Sequence, residues 1–342
     1  MEMIQNRHDS IKQKNKIFFI IFIFFTVIAF VLRFLLTIFE VDPHSNLYVR
    51  SSPLLLGFDY SVAVVVLFIL LSSKFMYKEK IRFVGMGKEK IKEIEKSIVY
   101  AEAAPVIVQG SQTLVFTSSL TGFLLIASSI LQVVYFISDP LRKDMSFSSY
   151  AQTYIKDNTF DFILFFIAIL GAVYFFKTAS INPNADNIEE NPQKLSQGYM
   201  IFSFFPIIWS FLNIFKCFFD MSKSVNSPIR MYELVCFLSI SLYFVAESRL
   251  LVGKRETAKF FSFGYTTMLL IALSALPNLI LSAFWILETS TSIIIYGVQI
   301  SFFLYIAARI YSQIKYGNFA LVTTKPLEKS ESEPEEDNAD SE

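Results

Sequence analysis

Apolar positions in this chain gather into eight runs, near 17–39, 54–76, 114–137, 160–177, 198–219, 231–248, 261–285 and 292–312, with polar stretches between them. A run of about twenty apolar residues crosses roughly 30 Å of hydrocarbon as an α-helix. The pattern predicts an all-α fold, a polytopic membrane helix bundle of about eight transmembrane helices arranged as four hairpins. The first run is too long for a signal-peptide core and no small-x-small cleavage site follows it, so it reads as a retained anchor.

Composition agrees with the runs. Hydrophobic residues make up 54% of 342 residues, charged residues 18%, and Phe alone occurs 38 times. A soluble domain of this length needs a more charged surface. The formal net charge of zero hides an asymmetry: from Glu328 the tail "EKSESEPEEDNADSE" holds eight acids and one lysine, which leaves 29 Lys and Arg against 22 Asp and Glu in the body. The tail has no apolar anchor and reads as disordered from about 328, either a solvating segment or a lure for a protein partner.

Basic residues orient the spans. Arg7, Lys12, Lys14 and Lys16 precede the first, eight more lie between Lys74 and Lys96, and counting alternate connections and the C-terminal segment puts 22 on one side against seven on the other. The positive-inside rule then places both chain ends in the cytoplasm, which an even number of spans requires, with the protein in the cell membrane. Residues 1–16 form a basic N-terminal tail, 17–312 the transmembrane domain and 313–342 a C-terminal tail. "GKEKIKEIEKSI" places Ile91, Ile94 and Ile98 on one face, an amphipathic helix near 87–100 lying along the inner leaflet.

One charge interrupts an apolar run. "VLRFLLTIFE" carries Arg33 inside the first span. The outward-running spans share its layout: "LRFLLTIFE", "LQVVYFISD" and "LNIFKCFFD" each place an acid seven positions after a polar residue, giving Arg33 and Glu40, Gln132 and Asp139, Asn213 and Asp220. Asn278 holds the equivalent depth in the seventh span, although Glu288 comes ten positions later. The returning spans open "FDY", "FDF" and "YEL" at Asp59, Asp161 and Glu233, while the eighth has no acid at its start. This reads as one hairpin used four times, or as the similarity that topology alone imposes on helices ending in aromatics and charges.

Arg33, Gln132, Asn213 and Asn278 thus form a ring in the outer leaflet. A charge at mid-bilayer costs about 2.5–3.5 kcal/mol on insertion scales. Arg33 can stretch outward to lipid phosphate or pair with an acid opening a returning span, Asp59 being nearest in sequence. The sharper reading is an outward-facing polar pocket of Arg33, Asp59, Gln132, Asp161, Asn213, Glu233 and Asn278. The bland reading makes Asn278, Gln299 and the serines interhelical hydrogen-bond glue. Ser118, Gly122 and Ser129, and Gly297, Ser301 and Ala308, mark close-packing faces; Pro206 and Pro277 should kink their spans.

Catalytic and metal signatures are sparse. His8 and His44 are the two histidines, with no further ligands beside them, and Cys217 and Cys236 have no Cys-x-x-Cys spacing. No phosphate-cradling glycine loop, His-Glu-x-x-His or nucleophile elbow occurs, so no cofactor, metal or nucleic-acid partner is expected beyond the lipid bilayer. The fifth and sixth spans, "FPIIWSFLNIF" and "YELVCFLSISLYFVAESRLLVG", resemble segments of uncharacterised polytopic membrane proteins of low-GC Gram-positive bacteria. The resemblance implies no activity. Three function classes follow, in this order: a non-enzymatic membrane scaffold or signalling component, a transporter or permease subunit, and an intramembrane enzyme.

Overall fold

The computed structural model describes residues 2–42, 47–48, 53–76, 112–138, 146, 148–152, 158–180, 201–219, 227–251, 257–284, 286 and 291–316. The segment 87–100, the acidic tail, His44, Asp139, Asp220, Trp285 and Glu288 lie outside them. The described chain is almost entirely helical: α1 (Glu2–Glu40), α2 (Pro53–Met76), α3 (Gln112–Ser138), α4 (Thr159–Ala179), α5 (Phe204–Phe219), α6 (Pro228–Leu251), α7 (Thr257–Ala283) and α8 (Ile293–Tyr316). Seven of these are long and apolar enough to cross a membrane, which makes the chain a multi-pass membrane protein. The exception is α5, whose 16 residues rise about 24 Å, less than the roughly 30 Å of hydrocarbon.

Local sequence explains the differences from the expected boundaries. No glycine or proline interrupts Glu2 to Phe18, so α1 runs unbroken through the basic residues assigned to a tail. A turn at Ser203 starts α5, which puts Pro206 in its first turn. There the missing N–H has no intrahelical partner to lose, so Pro206 marks a helix start instead of a mid-helix kink. Pro277 does lie inside α7.

Six helices close a ring. α3 packs on α4, α4 on α5, α5 on α6, α6 on α7, α7 on α8, and α8 returns to α3. Hydroxyls stitch the seams: Thr121 donates to the Ser301 carbonyl at 3.2 Å, Ser129 to the Phe165 carbonyl at 3.2 Å, and Thr267 to the Ser239 carbonyl at 2.8 Å. Ser210 and Ser241 share a hydrogen bond of 2.7 Å between α5 and α6. The serines therefore do act as interhelical glue. The amide of Gln299 does not: it is buried, and both its polar atoms lack a hydrogen-bond partner.

The first two helices stand apart from the ring. α1 and α2 both dock on α7, and an apolar cleft lined by Leu32, Leu36, Phe39, Leu54, Gly57 and Phe58 opens between them. α7 is accordingly the most buried span, with 78% of its apolar window inside, against 11% for α2. Close approach favours glycine at two ring seams: a Cβ on Gly122 would meet the Phe176 ring at 2.9 Å, and one on Gly264 would meet the Cδ1 end of Ile310 at 2.6 Å, which that flexible side chain would have to vacate. Gly297, read as a close-packing position, has nothing within 4 Å of such a Cβ.

Candidate functional site

Polar side chains at the Arg33 end turn inward but do not meet in one pocket. They form three groups. In the first, Arg33 is 2% exposed, so it does not stretch out to lipid. Its Nη1 donates to the Tyr48 hydroxyl at 3.3 Å, and its guanidinium carbon lies 4.1 Å from the centre of the Tyr232 ring. Both tyrosines pass the contact on: Tyr48 donates to Asp59 Oδ2 at 3.2 Å and Tyr232 to Asp59 Oδ1 at 2.6 Å. Arg33 and Asp59 are thus joined through two phenols. A charge-assisted hydrogen bond contributes about 1.5–3 kcal/mol and a desolvated cation–π contact about 2, enough to offset burying the charge. Burial raises the Tyr48 phenol above its ordinary value, Arg33 opposing and Asp59 reinforcing the rise, so Tyr48 keeps the proton it donates.

The second group holds Gln132, Asp161 and Asn213, from α3, α4 and α5. They line a cavity of about 60 Å³ together with Lys216, Ser128, Trp209 and Ser292. Lys216 pairs with Asp161, their side chains 38% and 23% exposed. Asn213 Nδ2 donates to the Trp209 carbonyl at 2.8 Å, while Gln132 Oε1 is buried with no partner. Such a wall offers a cation, an anion and an unengaged acceptor to a small solute. The sequence does not reveal this role for Lys216, because a lysine near a helix end reads the same whether it flanks a span or lines its interior.

The third group surrounds Glu233, which is 1% exposed. Tyr296 donates to its Oε1, as does Asn278 Nδ2 at 3.4 Å; Thr291 donates to Oε2 at 3.2 Å, with the Cys217 thiol at 3.7 Å. α5 and the start of α8 serve both of these groups, since Asn213 and Ser292 line the cavity while Cys217, Thr291 and Tyr296 reach Glu233. Tyr232 and Glu233 are sequence neighbours, and their turn of about 100° around α6 sends one to Asp59 and the other to Asn278.

A fourth group, at the opposite end, went unseen in the sequence. Glu247 and Arg309 form an ion pair of 3.0 Å whose side chains are 1% and 2% exposed. Tyr305 donates to the same Glu247 Oε1 at 2.8 Å, and the Tyr174 hydroxyl lies 3.3 Å from that of Tyr305. By sequence alone Arg309 reads as a basic residue at the end of the last span; α8 continues to Tyr316 and carries it into the ring. The one available signal was spacing. Tyr296, Gln299, Phe302, Tyr305, Arg309 and Ser312 recur at three and four positions along α8, and all six are buried.

Aromatic rings separate the two ends of the interior. Phe244 lies 5.9 Å from Phe175 and 5.3 Å from Phe302, and Trp209 lies 5.5 Å from Phe302. Phe244 falls between Glu233 and Glu247 on α6, as Phe302 falls between Tyr296 and Tyr305 on α8. The layer is made of closely packed rings, so charge does not pass it without rearrangement.

These features define a helical membrane protein whose interior holds acidic and basic side chains. No family model, curated protein or solved structure matches the chain.

Proposed function

We propose that the protein is a transporter or permease subunit, with the cavity of Gln132, Asp161, Asn213 and Lys216 as an outward-facing site for a small polar solute. The observation that carries this reading is convergence: three helices bring a paired acid and base, two amides and Ser128 to one cavity, with Ser292 just ahead of α8 closing it, although charged and amide side chains are costly to keep at membrane depth. The volume of about 60 Å³ suits a solute of a few heavy atoms. Basic-residue asymmetry supports both chain ends in the cytoplasm, which sets this cavity toward the exterior.

Thiol access tests it. With Cys217 and Cys236 replaced by alanine, a cysteine at position 132 or 213 should react with a reagent confined to water, while one at position 33 should stay protected. Protection at 132 and 213 alike would remove the transport reading. A scaffold or signalling role is the second reading, favoured by the cleft between α1 and α2, whose volume of about 640 Å³ and leucine- and phenylalanine-rich lining suit a partner's membrane helix. The acidic tail would supply a second contact for such a partner.

A further inference from the structure

We propose that the Glu247–Arg309 pair is a second, occluded binding site, which takes a small monovalent anion on Arg309 together with one proton on Glu247. The inference goes beyond the solute cavity and does not depend on it.

Charge balance is the first argument. The pair is sealed by protein, and a net charge in such surroundings costs several kcal/mol. A proton arriving alone would leave Arg309 unbalanced; an anion arriving alone would leave two negative charges around one guanidinium. Together they keep the site neutral. A proton from water forms an O–H bond at Glu247, the Glu247–Arg309 attraction is given up, and the anion takes its place as the counter-charge.

Hydrogen-bonding capacity is the second. Glu247 Oε1 accepts from both Tyr305 and Arg309, while Oε2 is buried with no partner. The Tyr243 hydroxyl, one helical turn back on α6, is also buried with no partner. Buried polar atoms of this kind are uncommon and call for an explanation. A proton on Oε2 supplies one: it can be donated toward Tyr243. The Tyr305 hydroxyl, freed from a neutral carboxyl, can turn to the anion with Tyr174 behind it.

Access is the third. Glu247 lies four residues from the end of α6, about 6 Å of rise. Between Arg309 and the end of α8 stand Ser312 and Gln313, buried and each with a polar atom lacking a partner. They form a polar lead from the helix end to the guanidinium. The titratable groups around Glu247 are Tyr174 from α4, Tyr243 from its own helix, and Tyr305 and Arg309 from α8. α7 contributes the Phe260 ring, 5.8 Å from the guanidinium, and the chain entering α5 contributes the Ser203 carbonyl, which takes the Ser248 hydroxyl at 3.5 Å.

The test is proton uptake by the full chain in detergent and weak buffer near neutral pH. Potassium chloride, nitrate and formate are added in turn, with potassium gluconate, whose anion is too large for a side-chain cluster, as the ionic-strength control. At least one of the three should draw in a proton beyond the gluconate level. E247Q, which imitates the protonated acid, should lose that uptake yet keep an anion-dependent thermal shift that no longer varies with pH. Y243F should need about fivefold more anion, the loss of one hydrogen bond. Absence of uptake with all three anions overturns the proposal, as does uptake that persists in E247Q. If E247Q does not fold, an unchanged anion requirement in Y243F overturns it instead.

Discussion

Asp161–Lys216 and Glu247–Arg309 each join a carboxylate to a base across two helices, yet their surroundings differ. The first borders a cavity with its side chains about a third and a quarter exposed; the second is sealed at 1–2%. A hydrated pair can separate and re-form around a solute at small cost, because water takes up whatever the partner releases. A sealed pair cannot: its members depend on each other, and whatever replaces one must carry its charge. The same chemistry is therefore adjustable at one end of the ring and all-or-none at the other.

Mutations can break the comparison. Glu247→Ala should cost about 3–5 kcal/mol in the stability of the purified chain, because it strands Arg309 in the interior; an ordinary surface-like loss would mean the pair is hydrated after all. Arg33→Met should cost less, about 1–3 kcal/mol, since it forfeits a cation–π contact and a charged hydrogen bond but also the burial of a charge. Replacing both sealed partners, as in E247L with R309M, should return thermal stability to within about 2 kcal/mol of the native chain while abolishing the proton uptake. Asp161→Asn should cost at most about 1 kcal/mol, and that loss should shrink as salt is added, whereas the Glu247→Ala loss should not. Equal salt sensitivity in the two variants would erase the distinction.

Part of this was legible in the sequence, and the residues say why. Span length and hydropathy are properties of single segments, so seven of the eight expected spans appear as long apolar helices. Arg33 announced itself because a charge inside an apolar run has few solutions. Its partners did not: Tyr48 and Tyr232 sit where aromatics at a membrane boundary are ordinary. Arg309 and Glu247 were hidden by the logic on which the orientation argument rests, since a charge close to a helix end counts as a flank until the neighbouring helices are known to rise past it. The expected single pocket divided into three groups because adjacent positions on α6 face different neighbours, which a depth argument does not resolve. The ring closure of α8 on α3, and the docking of α1 and α2 on α7, depend on packing between distant segments and left no periodic trace.

That last arrangement constrains biosynthesis. α1 and α2 leave the ribosome first, but the surface they rest on, α7, begins only at Thr257. About two hundred residues must therefore be made and inserted before α1 and α2 find their seat, with Arg33 and Asp59 waiting for Tyr232 in the meantime. A chain stopped short of α7 holds its earliest helices with nowhere to settle, which makes them a natural handle for quality control.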